Sequence, residues 1–193
     1  MIEQKTKKRL AGKGLFPPSL AFSLLLPVRN LILSPRRLID RMNLRKNATV
    51  LELGPGPGYF SLPVARYLSA GKLYLADIQP EMLAKAQRRL SKNGITNAEY
   101  CLLNGQNLPF ADTFFDAAFM VTVLGEVENQ AEYLAELARI LKPGALLSVS
   151  EQFGDPDMIG RSALLELLRP YGFTVRDEHG NKLHYTVNFT RQS

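Results

Sequence analysis

Between Ala48 and Leu68 the chain passes from the apolar run Ala48-Thr-Val-Leu-Glu-Leu53 through the turn Gly54-Pro55-Gly56-Pro57-Gly58 into Tyr59-Phe60-Ser-Leu-Pro-Val-Ala-Arg-Tyr-Leu68. A strand, a glycine turn and a helix start set this close together form the junction at which an open α/β sheet binds a cofactor. Alternate glycines let the backbone pass beneath a flat ligand with no Cβ in the way, while Pro55 and Pro57 stiffen the turn and each removes a backbone N–H. A loop short of two donors is poorly built for gripping phosphate. The dinucleotide fingerprint G-x-G-x-x-G would also put its third glycine where Tyr59 stands. The ligand that fits is a nucleoside without phosphates.

A ribose is held most simply by one ionised carboxylate that accepts from both hydroxyls. Lys72-Leu-Tyr-Leu-Ala-Asp77-Ile78 supplies one at the end of the next apolar run, roughly 20 residues after the glycine turn. Glu52, two residues ahead of Gly54, completes a pattern that resembles motif I, with its downstream acid, of the class I S-adenosylmethionine-dependent methyltransferases. The resemblance runs from residue 46 to residue 190. It continues in Asn104-Gly105-Gln106-Asn107-Leu-Pro-Phe110, followed by Phe115-Asp116, and in the step Leu141-Lys142-Pro143-Gly144. Asn104 stands where the family carries an aspartate; its amide still accepts and donates, without charge assistance.

The resemblance implies S-adenosyl-L-methionine as cofactor. It places Glu52 beneath the methionine end near the ammonium group, Gly54, Pro55, Gly56 and Gly58 along the turn, and Phe60 packed nearby. Asp77 and Ile78 fall at the ribose and adenine, with Asn104, Gly105 and Gln106 at the adenine edge and Val121 at the end of the fourth strand. A carboxylate at position 52 agrees, since it attracts a cationic ligand and repels a pyrophosphate. Methyl transfer from a sulfonium asks chiefly for alignment, with a base added where the acceptor must lose a proton. Glu126, Glu128 and Glu151 are the carboxylates at strand ends, and Glu126 is the weak catalytic candidate.

Period changes predict a helix from Ser34-Pro35 to Met42, strands near 48–53, 72–77, 97–103, 115–121 and 145–151, and helices near 59–69, 80–92, 129–141 and 161–169. Two β-rich runs around Gly180-Asn181 then read as a hairpin. The expected fold is α/β: a seven-stranded, mostly parallel, doubly wound Rossmann-like sheet closed by a C-terminal antiparallel hairpin. Residues 46–193 form the catalytic domain, preceded at 1–45 by a basic tail and an apolar or helical lid segment.

One cysteine and two histidines among 193 residues argue against a disulfide framework and against a metal site. Of the +6 net charge, Lys5, Lys7, Lys8, Arg9 and Lys13 crowd the start. The apolar stretch after them is broken by Pro17, Pro18, Pro27 and Arg29 and does not span a bilayer. It can act as a lid over the acceptor, lie in a membrane interface, or cover one sheet face. The cytoplasm, with peripheral membrane contact as an option, is the expected location. No Asn/Asp-Pro-Pro-Tyr segment follows the fourth strand and no cysteine precedes a proline, so nucleic acid has only basicity behind it. The expected acceptor is a small apolar or lipid-like molecule; RNA, protein, or a noncatalytic cofactor-binding role are the alternatives.

Overall fold

The computed structural model describes residues 33–105 and 107–193. The basic tail, most of the apolar segment and Gln106 lie outside the described residues. Helix α1 (Pro35–Met42) begins where the sequence predicts: Ser34 Oγ accepts from the Arg37 N–H at 3.2 Å, and Pro35 occupies the first turn. It ends at Asn43, in the left-handed conformation, whose N–H closes on Ile39 O.

From there strands and helices alternate as β1 (Thr49–Leu53), α2 (Ser61–Tyr67), β2 (Lys72–Asp77), α3 (Pro80–Lys92), β3 (Ala98–Leu102), β4 (Phe115–Val121), α4 (Gln130–Ile140), β5 (Leu141–Gln152) and α5 (Arg161–Leu168). A short 3₁₀ turn at Leu124–Glu126 follows β4, and the hairpin strands β6 (Phe173–Gly180) and β7 (His184–Arg191) close the chain. All seven strands lie in one sheet ordered β3-β2-β1-β4-β5-β7-β6. Strands β1 to β5 pair in parallel, and β7 enters antiparallel between β5 and β6. The expected fold class is therefore the observed one. Strand order reverses direction between β1 and β4, which opens a crevice at their carboxyl ends.

Successive strand residues face opposite ways and feed two cores. Leu51, Leu53, Met120, Leu147 and Val149 pack with Tyr133, Leu134 and Leu137 of α4 and Leu164 and Leu168 of α5. Val50, Leu73, Leu75 and Phe119 meet Leu38 and Met42 of α1, Leu62 and Val64 of α2, and Leu83, Ala86 and Leu90 of α3. Residues of β7 tie the end of α1 to the sheet. Arg41 Nη1 donates to Thr186 Oγ1 at 2.8 Å, and Asn188 Nδ2 donates to Arg41 O at 2.9 Å.

The fifth strand differs from its expected start at residue 145. Leu141 already pairs with Phe115, and the register then shifts before Ala117 pairs with Leu146. Lys142-Pro143-Gly144, with Gly144 at φ 78°, is thus an irregularity inside the strand rather than a turn before it. Asp116 stitches that irregularity to β1: it accepts from the Thr49 N–H and from Lys142 Nζ, both at 2.8 Å. Burial opposes ionisation of Asp116, but these donors prevail and hold its pKa below the usual range. It sits at the amino end of the sheet, away from the crevice.

Candidate functional site

All three glycines of the turn after β1 adopt left-handed backbone, with φ of 62° at Gly54, 53° at Gly56 and 82° at Gly58. Only glycine takes that conformation repeatedly without strain. The turn is also crowded: a Cβ on Gly54 would lie 2.5 Å from Val123 Cγ2, and one on Gly58 would lie 3.2 Å from the Ala86 backbone of α3. Gly54 N–H donates to Ala76 O at 2.9 Å, which fastens the turn to β2.

Beneath it Glu52 is 3% exposed, and its Oε2 has no hydrogen-bond partner. Burial, helped by the Asp77 charge and opposed by the Ser61 hydroxyl, pushes its pKa up to about 8. An orphaned buried carboxyl is costly unless something arrives to pair with it. Asp77, 8% exposed at the end of β2, accepts from the Gln79 N–H at 2.9 Å, and the Gly56 and Ile78 N–H groups also favour its ionised form. Burial outweighs those donors and raises its pKa. Gly56 thus links the glycine turn directly to the second acid.

On the far side of β2, Asn104 and Gly105 are exposed, with Asn104 bridged to Asn107 and Gly105 at φ 80°. Their loop is clamped from α4. Arg139 donates to Phe110 O, Leu108 O, Asp112 and Glu136, while Glu136 Oε2 accepts from the Leu108 N–H at 3.0 Å. Ile78 is 43% exposed, Phe60 is buried edge-on against Tyr59 at 4.8 Å between centroids, and Val121 is buried where β4 ends.

At that end Thr122 holds a φ of 54°, a conformation a β-branched residue avoids, and its N–H donates to Ser150 O at 2.8 Å. The turn is thereby fixed against β5. A Cβ on Gly125 would lie 1.9 Å from Asp157 O, so the turn after β5 presses directly on the one after β4. Glu126 is half-buried there; desolvation, with Asp155, Asp157 and Asp77, raises its pKa to about 7. Glu151 is 1% exposed and its pKa rises to about 8 through burial and the charges of Asp155 and Glu126, against a hydrogen bond from the Ile159 N–H. Glu128 is exposed.

Glu52, Asp77, Glu126 and Glu151 thus form a chain in which each carboxyl feels the next. Such a field suits a cation and disfavours a diphosphate. Among the described residues no group of three or more potential ligands is arranged to hold a metal ion.

The structure brings together Glu52, Gly54, Pro55, Gly56, Gly58, Asp77 and Ile78 around one crevice, with Val121 and Glu126 at its β4 border. Sequence reasoning passed over Ser61, Thr122, Val123 and the Asp155–Asp157 turn. Thr122 and Val123 could not be found from residue type, because their role comes from backbone conformation and from contact with Gly54.

A family profile described as a methyltransferase domain matches residues 51–149. A ubiquinone/menaquinone biosynthesis C-methyltransferase UbiE of Haemophilus ducreyi is 36% identical over 147 residues, which is 75% of this chain and 55% of that protein. The protein of the same name from Francisella philomiragia is 35% identical over 118 residues, 60% of this chain and 47% of that one. The chain spans about half the length of the curated relatives it matches. Among solved structures, a SAM dependent methyltransferase from Aquifex aeolicus superposes with a TM-score of 0.86 at 24% identity, covering 92% of this chain and 100% of that one. The [4+2]-cyclase SpnF superposes with a TM-score of 0.73 at 19% identity, covering 82% and 79%. Likeness at these identities establishes the shared fold and leaves the reaction to the site.

Proposed function

We propose, since this chain belongs to the S-adenosylmethionine-dependent methyltransferase family, that it transfers a methyl group to an apolar, hydroxylated ring compound of the quinone-precursor kind. The observation that carries the cofactor half of this reading is Glu52: a buried carboxyl with an unpartnered oxygen, lying under a three-glycine turn and beside Asp77. That arrangement fits the bound group. Glu52 would take the ammonium, Asp77 the ribose hydroxyls, and Ile78 with the Asn104–Gly105 loop the adenine. Gln106 and Pro55 belong to the same proposal. When bound, S-adenosylmethionine supplies a methyl carbon already activated by a positive sulfur.

The protein's own contribution is then alignment and exclusion of water. The turn after β4, fixed by Thr122 and Val123, forms the border between the two ligands, and Glu126 and Glu151 stand on the acceptor's side of it. The acceptor half is supported by the names of the UbiE relatives and by the apolar stretch ahead of β1, which suits a greasy ligand. Two features support a working position against a membrane surface in the cytoplasm: the basic start of the chain, and exposed Arg88 and Lys92 on α3. No helix among the described residues is long and apolar enough to cross a bilayer.

The test is incubation of the full chain with methyl-labelled S-adenosylmethionine and a quinone-containing lipid extract kept under reducing conditions. Label should pass to ring carbon in the lipid fraction. Transfer to RNA or protein fractions alone would contradict the reading.

A further inference from the structure

Glu151 stands apart from the groups assigned to the cofactor. It is the penultimate residue of β5, on the face shared by Leu147 and Val149, directly opposite Tyr185 in the β5–β7 register. Its carboxylate accepts the Ile159 N–H, while Oε1 is buried with no partner and the residue is 1% exposed. The groups around it are fixed. Tyr185 Oη donates to Ile159 O at 2.5 Å, and Arg161 lies 5.3 Å above the Tyr185 ring and pairs with Glu178 rather than with Glu151. The Gly125–Asp157 contact fixes the turn that carries Glu126, whose charge acts on Glu151. One oriented carboxyl with a buried, unpartnered acceptor oxygen therefore lies within the field of a second, and the charges that act on either are acidic. This geometry receives a proton donor and turns away an anion.

We infer that Glu151 is the proton acceptor for a ring hydroxyl of the methyl acceptor, with Glu126 as the second carboxyl that removes the ring proton. The inference rests on the acceptor reading above. In the first step the acceptor's O–H bond breaks; the proton goes to Glu151 Oε1 and the electron pair stays on oxygen, shared with the adjacent ring carbon. That carbon takes the methyl group, and the pair of the broken carbon–sulfur bond remains on sulfur. The proton displaced from the methylated carbon leaves to Glu126, the ring regains its aromatic electrons, and the oxygen recovers its proton from Glu151. One proton is released overall. Raised carboxyl pKa values near neutrality match this work, since an acid of ordinary strength would accept such a proton poorly. Once ionised, the same lining selects against acceptors that carry carboxylate or phosphate near the reacting ring.

The test uses 1,4-dihydroxynaphthalene, kept reduced, as probe acceptor with wild type, Glu151→Gln, Glu151→Asp and Glu126→Gln. Wild-type kcat/KM should rise with pH on a limb centred near 8. Glu151→Gln should lose about 100-fold or more in kcat and lose that limb, while Glu151→Asp recovers part of both. Calorimetry should show S-adenosylhomocysteine bound within twofold of wild type by each variant, and the probe bound less tightly by Glu151→Gln. A Glu151→Gln enzyme that methylates the probe at near wild-type rate with an unchanged pH profile overturns the inference and leaves the acceptor reading intact. A wild type that binds S-adenosylhomocysteine yet methylates no hydroxylated ring overturns the acceptor reading, and this inference with it.

Discussion

Replacing Glu52 with Gln should make the free protein more stable and the cofactor complex weaker. In the folded, unliganded chain the Glu52 pKa stands at about 8 against 4.5 for an exposed glutamate, with burial the main cause. A carboxyl whose folded pKa is raised binds its proton more firmly in the native state, so its burden is absent below pH 4.5 and grows as pH rises toward 8. At pH 7 that burden is about 3 kcal/mol, approaching about 5 kcal/mol above pH 8. A neutral glutamine of the same shape removes it. For a chain of this length the pH 7 figure corresponds to a gain of about 6–12 °C in Tm as an upper bound, shrinking to nothing near pH 4.5.

Cofactor binding should move the other way. Loss of a charge-assisted contact with the ammonium costs about 1.5–3 kcal/mol, or roughly 10- to 150-fold in Kd. Because wild-type Glu52 is mostly protonated at pH 7 and must ionise to pair with a cation, S-adenosylmethionine binding should release close to one proton. The binding enthalpy should therefore depend on the buffer, and in the variant it should not. Thermal melts from pH 4.5 to 8.5 and calorimetry in phosphate and Tris read all of these. A stability gap between the two proteins that does not widen with pH, or unaltered affinity in Glu52→Gln, refutes the assignment.

Asp77→Ala would remove the proposed ribose contacts and should weaken S-adenosylmethionine and S-adenosylhomocysteine alike by about 100-fold in calorimetry. Gly125→Ala drives a methyl group into Asp157 O. It should cost about 1–3 kcal/mol in denaturant melts and depress acceptor turnover while sparing cofactor affinity, because the displaced turn carries Glu126 and faces Glu151.

The parts of this molecule that were legible in the sequence are those set by local backbone demands. The glycine turn, the cap at Ser34-Pro35 and the acid ending β2 each announce themselves by residue type and spacing, and the structure places them as read. The proposed acceptor side was less legible. Glu126 and Glu151 are separated along the chain and meet only through the β4–β5 register and the turn after β5, neither of which leaves a periodic trace. Lys142-Pro143-Gly144 has the composition of a turn, and only pairing of Leu141 with Phe115 shows that the strand has already begun. Asp116, part of the stretch in which the family resemblance continues, works at the opposite end of the sheet as a tie between β1, β4 and β5. Residue type marked its importance without revealing which kind.

The central claim is that the crevice after β1 is built for a cationic, phosphate-free nucleoside. Calorimetric titration of the wild-type chain at pH 7 with S-adenosylmethionine, S-adenosylhomocysteine and NADH measures it directly. The account predicts saturable binding of the first two with proton release to the buffer, and none of NADH. Saturable binding of NADH with no response to either sulfur nucleoside would contradict it.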